Sequence, residues 1–209
     1  MVSAKEILSL GTIIPVITLD KVEDALPLAD ALAAGGIKTM EVTLRTPAAL
    51  DAIKLLTSER KNMVVGAGTI TTPDGFEKVK RAGAQFIISP GVTESLLAVG
   101  KQCAVPYIPG IATTSEALLG IQHGFEYLKF FPAGLAGGVP MLKNFAALFS
   151  DLKFCPTGGI DQKNMNEYLN LPNVICVGGS WIVPVKAIRE GQWGEITKLV
   201  KDALGAVIK

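Results

Sequence analysis

Eight short apolar runs recur along the chain, and each is followed by an amphipathic segment of helical period. The runs cover 13–18, 39–44, 64–69, 86–90, 107–111, 127–132, 153–159 and 174–179. Most of them end in a glycine, proline or threonine, as expected where a buried strand gives way to a loop. Because regular alternation of strands and helices leads to parallel pairing, the sequence predicts an α/β fold. Eight such units predict a (β/α)₈ TIM barrel, with a doubly wound open sheet as the alternative.

The segments between the runs carry apolar residues at i, i+3, i+4 and i+7, which predicts amphipathic helices. These helices are predicted over 22–34, 48–56, 74–82, 93–102, 114–123, 139–148, 162–169 and 193–207. Several end at a glycine, and Ser115 with Glu116 is expected to cap one of them. The segment 2–10 predicts a short extra helix that caps the bottom of the barrel. No linker or low-complexity segment interrupts the chain, so 1–209 is predicted to be one domain.

Composition excludes several classes of function. The chain is 49% hydrophobic but only 6% aromatic, which suits strands buried on both faces under a layer of helices. Its net charge of +1 provides no basic surplus for binding nucleic acid or an anionic membrane. The N-terminus lacks the apolar core of a signal peptide, and the odd cysteine count shows no CxxC spacing. We therefore expect a soluble, cytoplasmic protein.

The second apolar run carries three polar residues on one face. Because side chains alternate along a strand, Glu41, Thr43 and Arg45 are expected to point into the barrel. An internal Glu41–Arg45 ion pair is the structural alternative, but burial of charges is costly unless they are well paired. Active sites of these barrels lie at the C-terminal ends of the strands, so the pattern predicts functional residues here.

Lys129 is the most unusual residue of the chain, because it lies among leucine and phenylalanine in the sixth apolar run. It is a structural partner of Glu41, a lysine whose side chain extends outward to place its charge in water, or a nucleophile. Removal from water and a nearby cation favour the neutral form of an amine, whereas a nearby carboxylate opposes this. A neutral amine attacks carbonyl carbons, so the sequence predicts a lysine that forms a Schiff base.

Glycine pairs close the last two runs, as Gly158-Gly159 and as Gly178-Gly179 followed by Ser180. Without a side chain, backbone N–H groups can approach an anion closely. The loops after strands seven and eight recur as the phosphate site of such barrels, which predicts a phosphate site here. At the end of the third run, Thr69 is expected either to bind a substrate carboxylate or to cap the next helix.

The remaining candidates for chemistry are expected to be structural. His123 is the only histidine, and its position at a predicted helix end indicates the surface. One histidine and scattered carboxylates provide neither metal-ligand spacing nor a Ser-His-Asp or Cys-His arrangement. The sequence thus predicts no metal site. Cys155 and Cys176 lie inside apolar runs and are expected to be buried, inert thiols.

Taken together, these motifs resemble a known family. The segments that carry the resemblance are EVTLRT at 41–46, GAGT at 66–69, ISPG at 88–91, KFFPA at 129–133, CPTGGI at 155–160 and VGGSW at 177–181. In this order they span essentially the whole chain, and as a set they are specific. The chain is similar to the 2-keto-3-deoxy-6-phosphogluconate aldolases, whose bacterial members often also cleave 4-hydroxy-2-oxoglutarate.

The resemblance implies a class I aldolase that acts on a phosphorylated 2-keto acid, as a homotrimer of barrels without metal or organic cofactor. Lys129 would be the Schiff-base lysine, Glu41 the general acid and base, and Arg45 with Thr69 the site of the substrate carboxylate. The other implied contacts are Pro90 and Phe131 on pyruvate, Gly158, Gly159, Gly179 and Ser180 on the phosphate, and Thr157 on substrate hydroxyls.

Some alternatives stay open at this point. The galactonate epimer of the substrate differs only in the orientation of a hydroxyl group, and fold analogy does not distinguish the two. A phosphosugar isomerase or epimerase would share the glycine-rich phosphate site but would not require Lys129. A catalytically silent, ligand-binding barrel would be expected to lack Lys129 or Glu41. Many relatives carry an acidic residue where this chain has Gly134. The contact between this loop and the sugar end of the substrate is therefore expected to differ from the contact in those relatives.

Overall fold

The computed structural model describes residues 3–208. Within this range the strands are β1 (Ile13–Ile17), β2 (Thr39–Thr43), β3 (Val64–Gly68), β4 (Phe86–Ile88), β5 (Tyr107–Ile108), β6 (Gly110–Ile111), β7 (Tyr127–Phe130), β8 (Lys153–Pro156) and β9 (Val177–Gly179). The helices are α1 (Ala4–Leu8), α2 (Ala25–Gly35), α3 (Ala49–Glu59), α4 (Pro73–Arg81), α5 (Glu94–Gln102), α6 (Thr114–Gln122), α7 (Gly138–Leu148), α8 (Met165–Leu169), α9 (Val185–Arg189) and α10 (Trp193–Gly205).

Strand pairing is parallel, which confirms the predicted α/β fold. In the part of the chain that the structure describes, one sheet has the order β5-β4-β3-β2-β1-β9 and the other the order β6-β7-β8. The fifth predicted run forms both β5 and β6, because Pro109 between them has no N–H to donate to a sheet. Isolated parallel bridges also join Phe154 to Val174 and Thr157 to Gly178.

Side chains on alternate positions pack into two separate clusters. One lies between the strands and the helices and includes Ile17, Val42 and Phe130. The other, here called the inner cluster, consists of Ile7, Leu8, Ile14, Phe86, Ile88, Ile108, Cys155 and Cys176. Because the members of the inner cluster come from both sheets, with Ile14, Ile88 and Ile108 from one and Cys155 from the other, the sheets curl so that their inner faces meet.

Helix α1 packs into this inner cluster. Its residues Ile7 and Leu8 are fully buried there. The helix is stabilised at its start by a capping box, in which the Ser3 side chain and the Glu6 side chain each bind the other residue's backbone N–H. The segment predicted over 2–10 therefore contains this helix, whereas Val2 lies outside the described residues.

Helix α8 starts later than the predicted segment 162–169. The Asp161 side chain accepts a hydrogen bond from the N–H of Lys163 at 2.7 Å, and the Asn164 side chain accepts one from the N–H of Asp161 at 2.9 Å. Side chains of this kind compete with the backbone for hydrogen bonds and hold a turn before the helix. The prediction that the helix begins at residue 162 was wrong for this reason.

Two further differences concern helix ends and one short helix. Helix α6 is capped by Thr113 in a capping box with Glu116, whereas Ser115 lies inside the helix. Helix α9 was not predicted, because its five residues are too short to show a helical repeat. No helix within residues 3–208 is long and apolar enough to cross a membrane.

The Ile7→Ala variant is expected to lower the free energy of unfolding by about 2–5 kcal/mol, because truncation leaves a cavity in a fully buried cluster. Ile208→Ala is the matched control: Ile208 is 66% exposed, and its truncation should change stability by less than about 0.5 kcal/mol. Urea denaturation followed by circular dichroism measures both. Equal stability of the two variants would contradict a structural role for α1.

Candidate active site

The most polar feature of the interior is an ion pair between Lys129 on β7 and Glu41 on β2. The Lys129 Nζ atom lies 3.1 Å from Glu41 Oε1 and 3.3 Å from Oε2. Lys129 is 5% exposed and Glu41 is 2% exposed. Because an unpaired buried charge is strongly unfavourable, each group holds the other in place. The two charged residues that stand out in the sequence therefore meet in one interior site, although 88 positions separate them.

A glycine on the neighbouring strand β3 provides the space for the Glu41 carboxylate. Glu41 is paired in register with Gly66 on β3, and Lys129 is paired with Gly110 on β6. A Cβ atom added at Gly68 would overlap the Glu41 carboxylate. Gly68 of the GAGT segment is therefore required sterically, because a larger residue would displace the carboxylate from the ion pair, whereas a Cβ atom at Gly66 would meet the Phe86 ring.

Arg45 lies beyond the end of β2 and is exposed. In the described residues the ion-pair partner of Glu41 is Lys129, so the internal Glu41–Arg45 pair that the sequence left open does not form. The prediction that Arg45 points into the interior with Glu41 was wrong in this detail, because β2 ends at Thr43 and a turn follows. The guanidinium group is instead available at the mouth of the site.

Two threonine hydroxyl groups fix the turn that carries Arg45. The Thr43 hydroxyl donates a hydrogen bond to the Ile17 carbonyl at 2.7 Å, and the Thr46 hydroxyl donates one to the Leu19 carbonyl. Both carbonyl groups belong to the end of β1 or to the loop after it. Arg45 is thus held between two attachments to the neighbouring strand.

Thr69, just after β3, has an unusual backbone conformation. With a φ of 64° it is the one non-glycine residue between positions 3 and 208 that has a positive φ. A β-branched residue in this region costs roughly 1–3 kcal/mol, and such strain is concentrated at functional sites. The N-cap of α4 is Thr72. The expectation that Thr69 caps this helix is therefore wrong, and its contact with a substrate carboxylate stays a prediction.

The loop that carries Pro90 is fixed by a buried hydroxyl group on Ser89. Ser89 Oγ donates to the Gly91 carbonyl at 2.7 Å, lies 2.6 Å from the Tyr107 hydroxyl and accepts from the Gly110 N–H at 3.3 Å. These contacts use the one proton and both lone pairs of the serine, so the Tyr107 hydroxyl is the donor in their mutual bond. Burial raises the pKa of Tyr107 to about 12, against a smaller opposing effect of the hydrogen bond to Ser89.

A cavity of about 220 Å³ lies at the carboxyl ends of the strands, and neither Lys129 nor Glu41 lines it. Its wall contains seven of the residues predicted for the site, namely Arg45, Phe131, Thr157, Gly158, Gly159, Gly179 and Ser180. Phe131 connects the cavity with the ion pair, because the centre of its ring lies 5.3 Å from Lys129 Nζ. Thr69 and Pro90 do not line this cavity, and Pro90 borders a separate one of about 230 Å³.

The glycine loops form one end of this cavity. Gly158 and Gly159 have φ values of 94° and 74°, which side chains other than glycine rarely adopt. A Cβ atom at Gly178 would overlap the Thr157 side chain, and one at Gly179 would overlap the Trp181 ring. Bare backbone therefore lines the cavity here, and an anion can approach it closely.

Gly134 belongs to the same region. Its N–H donates to the Gly158 carbonyl at 2.9 Å, and the residue itself is exposed. The loop after β7 is thus attached to the predicted phosphate loop without an acidic side chain between them.

Neither the cysteines nor the histidine lines this cavity. Cys155 and Cys176 are free thiols buried in the inner cluster, as predicted. A hydrogen bond with Cys155, together with burial, raises the pKa of the Cys176 thiol well above its usual value, which keeps it protonated and unreactive. His123 pairs with Glu94 at 2.7 Å, away from the cavity. Among residues 3–208, no group of three or more potential ligands could hold a metal ion.

Two residues near the site were missed by sequence reasoning. Ser89 lies inside an apolar run, where a buried serine points to a hydrogen-bonding role. Thr18 ends the first apolar run and lines the cavity beside Arg45. A polar residue at the C-terminal end of a parallel strand was the available signal in both cases.

Comparison with known proteins identifies relatives over nearly the whole chain. The family model described as KDPG and KHG aldolase matches residues 4–199. The 2-dehydro-3-deoxy-phosphogluconate aldolase of Dickeya dadantii (strain 3937) is 48% identical over 202 residues, which cover 97% of this chain and 95% of the relative. The KHG/KDPG aldolase of Escherichia coli (strain K12) matches with the same identity and coverage.

A solved structure is also closely similar. The KDPG aldolase from Legionella pneumophila, with pyruvate captured as a covalent carbinolamine intermediate, superposes with a TM-score of 0.94 at 51% identity. The match covers 95% of this chain and 97% of that one.

The buried Tyr107 makes a pH-dependent contribution to stability. Its pKa is raised from 10.0 to about 12 on folding, so the stabilisation is complete below pH 10 and is lost as the pH rises through 12. We expect the free energy of unfolding to fall by about 1 kcal/mol per pH unit within this window. Urea denaturation across the window checks this, with Tyr107→Phe as the control. An unchanged slope in Tyr107→Phe would show that other groups cause the pH dependence.

Proposed function

The chain belongs to the family of KDPG and KHG aldolases, and we propose that Lys129 is its Schiff-base lysine and Glu41 its general acid and base. It is an aldehyde-lyase that cleaves 2-keto-3-deoxy-6-phosphogluconate (KDPG) to pyruvate and glyceraldehyde 3-phosphate. The same site cleaves 4-hydroxy-2-oxoglutarate (KHG) to pyruvate and glyoxylate, in keeping with relatives named for both substrates.

The observation that carries the residue assignment is the buried ion pair of Lys129 and Glu41. A lysine becomes a nucleophile only in its neutral form, and a carboxylate 3.1 Å away can accept its proton directly. The pair therefore contains both the nucleophile and the group that activates it. A proton-transfer isomerase would have no use for the buried amine.

The first half of the proposed reaction forms the covalent intermediate. The neutral Lys129 amine attacks the C2 carbonyl of the substrate and gives a carbinolamine. Glu41 passes the proton it accepted from Lys129 to the carbinolamine hydroxyl, so that water leaves, an iminium ion forms and Glu41 is again a carboxylate; the positive nitrogen then attracts electrons from the adjacent carbon chain. Covalent catalysis of this type divides one difficult step into several easier ones.

The second half breaks the carbon chain. Glu41 removes the proton of the C4 hydroxyl group, directly or through a water molecule. The C3–C4 bond then breaks, the aldehyde leaves and its former bonding electrons form an enamine on the pyruvate fragment. Glu41 returns a proton to C3, and hydrolysis of the resulting iminium releases pyruvate and the free lysine. One carboxyl group can serve both steps because it alternates between base and acid.

The pyruvate end of the substrate is assigned to the surroundings of the ion pair. We propose that Arg45 and Thr69 bind the carboxylate and that Pro90 and Phe131 line the pocket. The exposed guanidinium of Arg45 can form two parallel hydrogen bonds with a carboxylate, and its turn is held by two threonines. Phe131 contacts both the cavity and Lys129, which supports its place beside the reacting carbon atoms.

The phosphate end is assigned to the glycine loops. Gly158, Gly159, Gly179 and Ser180 line the end of the cavity where bare backbone is exposed. Backbone N–H groups and a serine hydroxyl are suitable donors to phosphate oxygens. Thr157, which is almost fully buried beside these loops, is proposed to contact the substrate hydroxyl groups.

We further propose a single-domain TIM barrel over 1–209, whose strands close into one ring and whose helix α1 plugs the bottom. The support is that one proline separates β5 from β6, and that isolated bridges join Phe154 to Val174, just before β9, and Thr157 to Gly178 in β9. A homotrimer and a cytoplasmic location, without metal or organic cofactor, complete the proposal. They follow from the family resemblance and from the odd count of unpaired cysteines.

Reduction with borohydride in the presence of pyruvate tests the lysine assignment. The iminium should be trapped as a stable secondary amine, and peptide mass mapping should locate it on Lys129. Lys129→Ala should form no adduct and lose turnover by about 10⁴-fold or more. Glu41→Gln is the matched variant, which should still form the adduct, although more slowly because it lacks the carboxylate that accepts the Lys129 proton, and should turn over at least about 100-fold more slowly. An adduct on another lysine would refute the assignment.

Replacement of Ser180 by alanine tests the phosphate site. Because a hydrogen bond to a charged group contributes about 1.5–3 kcal/mol, kcat/KM for KDPG should fall about 10- to 100-fold. For KHG, which has no phosphate, it should stay within about twofold. Ser150→Ala, on an exposed loop, is the control and should behave as wild type on both substrates. Equal losses on KDPG and KHG would remove Ser180 from the phosphate site.

A further inference from the structure

Thr18 lines the same cavity but has no role in the assignments above. It follows β1 and lies on the face of that strand that includes Ile14 of the inner cluster and Val16 of the cavity wall. Its side chain is partly exposed. The side-chain alternation of β1 therefore directs Thr18 towards the cavity rather than towards the helices.

The hydrogen bonds of Thr43 determine what Thr18 can offer to a ligand. The two hydroxyl oxygens lie 3.2 Å apart, and either could donate by distance alone. Thr43 is fully buried, and its single proton is used in the 2.7 Å hydrogen bond to the Ile17 carbonyl. Thr18 must then donate to Thr43. In the described part of the chain no other hydrogen bond involves the Thr18 side chain, so its lone pairs are available to accept from the cavity.

The register of β1 places Thr18 between the two ends of the site. Val16 is paired with Glu41 on one side, and Pro15 is paired with Gly179 on the other. Thr18 thus directly follows β1, the strand that lies between Glu41 on β2 and Gly179 of the proposed phosphate site on β9. A substrate whose reacting carbon atoms meet Glu41 and whose phosphate meets the loop after β9 therefore spans β1, and Thr18 at the end of that strand lines the cavity between them.

We propose that Thr18 is a specificity-determining residue that accepts a hydrogen bond from the C5 hydroxyl group of the sugar-acid substrate. The inference rests on the proposed function, because that function sets the direction of the substrate in the cavity. C5 lies between the cleaved C3–C4 bond and the phosphate carbon, and its hydroxyl group is absent from KHG. Thr18 therefore contributes to the choice between long phosphorylated substrates and short ones.

The condensation direction isolates this single hydroxyl group. Pyruvate is condensed either with glyceraldehyde 3-phosphate, whose C2 hydroxyl becomes the C5 hydroxyl, or with 3-oxopropyl phosphate, which has the same length and phosphate but no hydroxyl. In Thr18→Val, kcat/KM for glyceraldehyde 3-phosphate should fall about three- to tenfold, the effect of one neutral hydrogen bond. With 3-oxopropyl phosphate it should stay within about twofold of wild type. Thr18→Ser keeps the hydroxyl and should retain the wild-type preference between the aldehydes.

Equal losses on both aldehydes, or no loss on either, would overturn the proposal, since Thr18 would then act only through Thr43 or not at all. Thr18→Ala removes the same hydroxyl and gives the same test if the valine variant is unstable. Pyruvate trapping by borohydride is run on every variant as a measure that does not involve C5. Wild-type protein that fails to trap pyruvate on Lys129 would refute the proposed function itself. Normal trapping with an unchanged aldehyde preference would refute only the role of Thr18.

Discussion

The ion pair of Lys129 and Glu41 is the interaction on which the rest of the site depends. Two charges taken out of water must lie close together, so the strands that carry them, β2 and β7, have to face each other across the curled sheets. This explains why glycine stands at Gly68, where a Cβ atom would overlap the Glu41 carboxylate. The packing of these strands is therefore set by the charges as much as by the apolar core.

Below this pair, the interior is apolar and closely packed. Cys155 is the register partner of Lys129 and already belongs to the inner cluster, which α1 completes with Ile7 and Leu8. Above the pair, hydroxyl groups fix the strand ends: Ser89 holds the loop of Pro90, and two threonines hold the turn of Arg45. A rigid base with loops fastened at its rim suits a site that must keep a covalent intermediate in one geometry.

Much of the fold and part of the candidate site could be predicted from the sequence. The strands were found because short apolar runs that end in glycine, proline or threonine are a local pattern, and most helices because their apolar stripes are local as well. Lys129 was found because a charge inside an apolar run is unusual wherever that run is placed. The start of α8 was missed because Asp161 and Asn164 form a turn through side-chain hydrogen bonds that periodicity does not reveal. The positive φ of Thr69 was likewise hidden, because a threonine gives no sign of a conformation that its surroundings impose.

The sequence by itself determined the order of strands and helices, the parallel pairing and the identity of the two interior charges, because each follows from local pattern and side-chain chemistry. Only the tertiary structure decided that Glu41 pairs with Lys129 and not with Arg45. That choice depends on where β2 ends and on which strand lies opposite, and both are set by packing between residues far apart in the chain. The role available to Thr18 was decided in the same way, because it depends on how its neighbour Thr43 uses its only proton.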